Sequence, residues 1–321
     1  MIRSHRVLAA ALAALLVAST VTARSLVDRL PSGAALLGSL DLDAVRKSPL
    51  LGPDKLSGPM PEQASGFDAI LRDAGIDIRR DVAQVAFAVM PQREGGADGD
   101  VAMIASGRLD PAKLRAAAVA HGGTSTTLGD VAAVRLAKNP GDGDDATFLS
   151  FVDGLAVVGG AEATKLVHAR SKAAESTVSR KPSGIPKDAA FWLAGDLGQV
   201  GSSDAVSAAL PMIGQVQRIQ IWARLAEALE LNAIADAPDS AVATQIAGLA
   251  ALAVGFAAIQ GDTPQAALLS GVRVSAKDRR VTASLTLTKA QLDAASAASA
   301  PDAPKLTPEV EPKPAPAKAL P

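Results

Sequence analysis

The chain has 321 residues, with 32 Lys and Arg against 33 Asp and Glu, for a formal charge of −1. That balance argues against nucleic acid or anionic lipid as the main partner, because both demand a basic field. Cys and Tyr are absent and aromatics reach only 2%, which excludes disulfides and thiolate metal sites and weakens the case for a base- or sugar-stacking platform.

The first 23 residues read as an export signal. Arg3 and Arg6 form a basic start, Val7 to Ala18 is an uncharged apolar run, and Val21-Thr22-Ala23 places small residues where a signal peptidase cuts. The run is shorter than the roughly 20 apolar residues a bilayer span requires, so cleavage after Ala23 is expected. With no Cys behind the apolar core, attachment as a lipoprotein is excluded. The expected location is periplasmic or secreted. Cleavage leaves 298 of the 321 residues and takes the formal charge from −1 to −3. A chain of that length can be held by its core without crosslinks.

The ordered part shows an internal repeat. Leu30 to Val45 (LPSGAALLGSLDLDAV) and Ile185 to Val200 (IPKDAAFWLAGDLGQV) align without gaps, matching Pro31 with Pro186, Ala34 with Ala189, Ala35 with Ala190, Asp41 with Asp196, Leu42 with Leu197 and Val45 with Val200. Each copy has a Pro, an apolar strand and then an Asp-Leu exit.

In the first unit, Phe67 to Ala74 has helical spacing and stops at Gly75. Val82 to Met90 and Val101 to Gly107 read as strands. Asp110-Pro111 opens a helix, Ala112 to His121, with Asp as N-cap and Pro in the first turn. Val131 to Ala137 follows as a strand. Asp153-Gly154 between ATFLSFV and LAVVGG marks a type I′ hairpin, and a helix from Ala161 to about Ala173 closes the unit. The second unit ends alike: Gly271 to Ser275 turns at Lys277-Asp278-Arg279 into Val281 to Thr288, then a helix runs from Lys289 to Ala298. Val281, Ala283, Leu285 and Leu287 alternate with Thr282, Ser284, Thr286 and Thr288, as in an antiparallel sheet with one wet face. Ala241 to Ile259 has no charge over 19 residues. Its bulky residues Ile246, Leu249, Leu252, Phe256 and Ile259 form one stripe in a field of Ala, which predicts a helix buried on the sheet rather than a membrane span.

These elements predict an α+β fold of two related units, 24–183 and 184–298, with antiparallel sheets whose helices cover one face. The segment 299–321 is rich in Pro, Ala and charge and is expected to be a disordered tail.

Recognisable chemistry is scarce. His121 ends a helix, where a basic side chain suits the dipole. His168, with Lys165 and Lys172, reads as a solvated basic stripe. No HExxH, Gly-x-Ser-x-Gly or phosphate-binding Gly-rich loop occurs. Ser183 and Lys187 have loop spacing. Asp142, Asp144 and Asp145 lack the Gly and distant Glu of a calcium loop and read as a solvated turn. Asp41, Asp43 and Asp196 close equivalent strands and are the strongest remaining polar candidates, although carboxylates at strand exits serve more often as helix caps. No catalytic, metal or cofactor-binding residue is assigned, and no cofactor is expected.

Leu30-Pro31 with Ala34-Ala35, the run Gly75-Ile76-Asp77-Ile78-Arg79-Arg80-Asp81-Val82, and Phe151 to Gly159 (FVDGLAVVG), followed by a restart at Ile185-Pro186, resemble an uncharacterised family of bacterial exported proteins carrying a domain of unknown function. The resemblance spans about residues 26 to 200. It implies a cell-envelope location and no reaction.

Two functional expectations follow. The first is a non-enzymatic envelope protein that binds or scaffolds another macromolecule, with no nucleic acid and no integral membrane span. The second is a periplasmic hydrolase in which Asp41, Asp43 and Asp196 converge in space.

Overall fold

The computed structural model describes residues 25–50, 66–91, 100–137, 146–172, 181–199, 215–259 and 268–299. The export segment, the C-terminal tail and the acidic loop at 142–145 lie outside these residues.

A short 3-10 turn at Leu26–Arg29 leads into β1 (Leu36–Asp41) and α1 (Leu42–Lys47). Then come α2 (Gly66–Asp73), α3 (Ile78–Asp81), β2 (Val82–Val89), β3 (Val101–Gly107) and α4 (Pro111–Ala120). Two hairpins follow, β4 (Thr124–Leu128) with β5 (Val131–Arg135) and β6 (Phe148–Val152) with β7 (Leu155–Gly159), and then α5 (Ala161–Lys172). The remainder comprises β8 (Phe191–Asp196), β9 (Arg218–Leu225), β10 (Ala228–Asp236), α6 (Ser240–Ile259), β11 (Arg273–Lys277), β12 (Arg280–Thr288) and α7 (Lys289–Ser299). This is an α+β fold.

Local signals explain most of these elements. Asp110 accepts from the Ala112 and Lys113 amides at 2.9 and 3.2 Å and so caps α4. Asp153 and Gly154 hold φ of 50° and 77°, the left-handed pair that a type I′ turn requires. The Asp100 carboxylate accepts from the Ala163 amide at 3.0 Å, tying the start of β3 to the first turn of α5.

All twelve strands join in one antiparallel sheet, in the order β11-β12-β10-β9-β8-β1-β2-β3-β7-β6-β5-β4. From the central β1–β8 pair, the order runs outward through β2-β3-β7-β6 on one side and β9-β10-β12-β11 on the other. In that pair Gly38 stands opposite Leu193, flanked by Leu36 opposite Gly195 and Leu40 opposite Phe191. The Phe87 ring of β2 lies over Gly38, where a side-chain carbon would collide with it.

The tightest core lies on one face of the sheet, here the core face. Ala86, Ala88, Ala102, Ile104 and Val157 are fully enclosed there by Leu26, Val27 and Leu30 and by Ala163 and Val167 of α5, with Trp192 and Ala194 alongside. On the opposite face, α2 and α4 pack Ile70, Leu71, Leu114 and Ala118 onto Val134 and Leu149. Helices therefore cover both faces around β5–β7, not one as expected. The cause is local: Leu149 and Phe151 project to one side of β6 while Phe148, Ser150 and Val152 project to the other, so both sides need cover.

The expectation of a buried α6 also fails. The helix lies over β11 and β12 and packs through Val242, Ala243, Ile246 and Ala247 against Ala235, Val274 and Val281. Of its bulky stripe, Ile246 packs here, whereas Leu249, Leu252 and Phe256 point away and are 48%, 61% and 63% exposed. The small Ala side, rather than the Leu side, lets the helix axis approach the sheet closely. Among the described residues, no helix is long and apolar enough to cross a membrane.

Candidate functional site

Asp196 does not meet the other two candidate carboxylates, Asp41 and Asp43, which lie together at the start of α1. Asp41 caps α1, its Oδ1 accepting from the Ala44 amide at 2.8 Å. Asp43 pairs with Arg46 and is 48% exposed. Asp196 accepts from the Gly198 amide at 2.9 Å and from Gln199 Nε2 at 3.1 Å. Since β1 and β8 run antiparallel, with the Asp41 amide beside Ala190 and the Asp196 amide beside Ala35, the two aspartates sit at opposite ends of the strand pair. Over six residues at about 3.4 Å each, that is roughly 20 Å. The strand pairing therefore keeps Asp196 apart from Asp41 and Asp43, so the three do not share one cleft.

The histidines divide. His121 ends α4 as expected, its Nε2 2.7 Å from Asp73 Oδ2. His168 is not on a solvated stripe: it is 5% exposed, and its Nε2 lies 2.9 Å from the Oγ of the enclosed Ser150. Burial holds its pKa below the ordinary value, aided by Lys172 and opposed by Asp130 and Asp153. A Ser–His pair has nucleophile chemistry in principle, but Ser150 is 0% exposed and no substrate atom reaches it. Helical spacing alone did not separate His168 from its neighbours; the sharper sequence signal was Ser150, a polar residue in the apolar strand FLSFV. Just before the Ser183 to Lys187 loop, Lys181 Nζ donates to the Pro186 carbonyl at 2.5 Å.

Asp81 is the most perturbed acid. Arg80 donates to both its oxygens, the Asp77 amide donates at 3.0 Å and Arg108 adds a second ion pair, which together hold the carboxyl far below the usual carboxylate range. These partners fix the turn before β2 and tie it to the end of β3 through Arg108, so the role is structural. Among the described residues no cluster of His, Asp or Glu is arranged to hold a metal.

Two surfaces remain. The first is an open polar cleft of about 1580 Å³ at one end of β8–β12, floored by a cross-strand row of Asp196, Arg218, Asp236, Arg280 and Lys277. Arg280 Nε donates to Asp236 at 2.9 Å, and Asp239 caps α6 through the Val242 amide at 2.8 Å. With Asp278 and Arg279 the lining holds four cations and four anions, so the cleft has no net field to select a charged ligand.

The second surface is the face opposite the core face, across β3-β2-β1-β8-β9-β10. Strand alternation places Leu36, Leu40, Val85 and Phe87 there, and the register continues the same side through Leu193, Ile221 and Leu229. These seven are only half-buried, and Val101, Met103 and Leu231 on the same face are 43%, 37% and 38% exposed. A sheet face that meets water normally alternates to polar residues. On β1 to β3 and β8 both faces are largely apolar and the core face is the more tightly enclosed, whereas on β9 and β10 the core side carries Arg218, Gln220, Arg224, Glu230, Asn232 and Asp236. Sequence inspection found β1 to β3 and β8 apolar but could not assign their sides, and it did not identify β9 and β10.

No protein-family profile matches the chain, and no curated protein does. Among solved structures, one described as crystal form I of TP0453 is similar, with 10% identity, a TM-score of 0.47, and coverage of 86% of this chain and 98% of that one. A likeness at that level assigns neither family nor function.

Proposed function

We propose that this is an exported, non-enzymatic cell-envelope protein, built from two related units (24–183 and 184–298), that binds another envelope protein through the half-open apolar sheet face. The observation that carries the reading is the exposure of Val101, Met103 and Leu231 on a face with few polar groups. Six strands at about 4.8 Å spacing make that face roughly 24 Å wide, and strand lengths give it about 20 Å in the other direction. The product, on the order of 500 Å², falls in the range of the largest apolar patches on soluble proteins, which are often functional. The sheet's own backbone groups are already paired, so recognition rests on shape and apolar contact, which fits the apolar side of a folded partner or amphipathic helix.

The two-unit reading is supported by the common outward strand order and by the central register. In the gapless alignment Gly38 corresponds to Leu193, Leu36 to Phe191 and Leu40 to Gly195. The β1–β8 register sets Gly38 against its own counterpart and exchanges the other two pairs, which is the pattern of a local two-fold axis.

The test is in-cell photo-crosslinking from position 231 and, as a control, from Thr286 on the other face of β12. Expected is one recurrent protein adduct from 231, lost when Met103→Asp is added. Adducts to lipid alone, or none from 231, would overturn the reading.

A further inference from the structure

The strand at one end of the sheet, β4, pairs with β5 on its inner side and among the described residues has no strand on its outer side. Thr124, Ser125, Thr126 and Thr127 are all exposed. The turn to β5 is the two-residue loop Gly129-Asp130, with Gly129 at φ 68° and Leu128 opposite Val131. In a hairpin of that kind Leu128, Thr126 and Thr124 direct their backbone groups to β5, whereas Ser125 and Thr127 direct theirs outward.

Edge strands are normally guarded by charge, proline or a bulge, because their free donors and acceptors recruit other strands. The far edge, β11, is guarded in this way by Arg273 and Lys277, with Arg279 and Arg280 next to them. No charge or proline occurs from Gly122 to Gly129, and β4 pairs in unbroken register. The segment TSTT is neutral, rich in β-formers and compatible with itself, since Thr–Thr and Thr–Ser pairs across strands are favourable.

We propose that β4 pairs antiparallel with β4 of a second copy. Thr126 then stands opposite Thr126 of the partner subunit, and Ser125 exchanges backbone hydrogen bonds with Thr127 of the partner subunit. This register brings outward-facing groups together on both sides. Each molecule has one unguarded edge, so the assembly closes at two copies and does not grow into a fibre. About four backbone hydrogen bonds over so short a strand make a small interface, and a dimer of micromolar strength or weaker is expected.

The absence of native Cys gives a direct test. Thr126→Cys would sit in a non-hydrogen-bonded pair whose Cα separation, about 4.5 Å, falls within disulfide range. In the chain expressed from Arg24 onward, mild oxidation should yield a Thr126→Cys covalent dimer at least tenfold faster than Ser275→Cys on β11. Adding Ser125→Pro, which removes an outward donor without touching the β5 ladder, should abolish that advantage. Equal rates for the two Cys variants, or no effect of Ser125→Pro when the variant's melting temperature is unchanged, would overturn the proposal. Leu231→Asp should leave the crosslink unchanged, which separates this edge from the apolar face.

Discussion

Ser150 Oγ and His168 Nε2 are 2.9 Å apart, with both residues enclosed between β6 and α5. The pair fixes the docking of α5 on the core face, and its acid sensitivity has a definite sign. In the folded state burial depresses the His168 pKa, whereas the unfolded chain titrates near 6.5. Below that pH the unfolded state binds the extra proton, so this contribution to stability is constant above about 6.5 and is lost as pH falls below it. Urea unfolding between pH 7.5 and 5 should show falling stability for the parent chain and a shallower slope for His168→Gln. Ser150→Ala should cost roughly 1–3 kcal/mol at pH 7.5, because it leaves a buried imidazole nitrogen without its partner.

The orientation of α6 yields a contrast between two kinds of substitution. Leu252→Ser and Phe256→Ser alter side chains that are 61% and 63% exposed, so each should change stability by no more than about 0.5 kcal/mol. Ala243→Leu inserts bulk at a position with 0% exposure and should cost about 1–3 kcal/mol. Thermal unfolding of the three variants checks this; a large loss for Leu252→Ser would mean that the bulky stripe is the packed one.

Asp100 links the start of β3 to the first turn of α5 through the Ala163 amide. Asp100→Ala removes a charged cap at a helix N-terminus and should cost about 1 kcal/mol. Asp100→Asn keeps the acceptor and should recover most of that loss. Paired urea titrations distinguish the two.

At the middle of the sheet, a side chain at position 38 would meet the Phe87 ring. Gly38→Val should therefore lower stability by about 1–3 kcal/mol. Phe87→Leu in the same chain should restore part of it, because the two sites share one volume and are not additive. A double-mutant cycle on melting temperature provides the readout.

Local chemistry made several elements legible. The Asp153-Gly154 turn, the Asp110-Pro111 helix start and the alternation in β12 each follow from rules that act within a few residues. What the sequence hid is set by contacts distant in the chain. The strand β4 is a short polar segment whose strand state depends on β5. The packing side of α6 is set by Ala243 and Ala247, whose small side chains allow a close approach, and not by the bulky Leu249, Leu252 and Phe256. His168 has the spacing of a surface residue, and only the strand that carries Ser150 encloses it. The three aspartates were brought together by likeness of position, and antiparallel pairing of β1 and β8 sends Asp41 and Asp196 to opposite ends.

The arrangement around Gly38 and Leu193 also bears on ancestry. A lone half of this chain would end in a bare β1, and the strand able to satisfy it in the present register is β1 of an identical molecule turned about that same point. A homodimer of halves and today's single chain would then share one sheet, differing by a covalent connection. Fusion raises the effective concentration of the second half to the millimolar range without any new contact. It would also release the two halves from identity. A homodimer must place the same residue on both sides of its axis, whereas here Gly38 neighbours Phe87 and Leu193 neighbours Ile221, a small-with-large pairing on one side and two mid-sized side chains on the other.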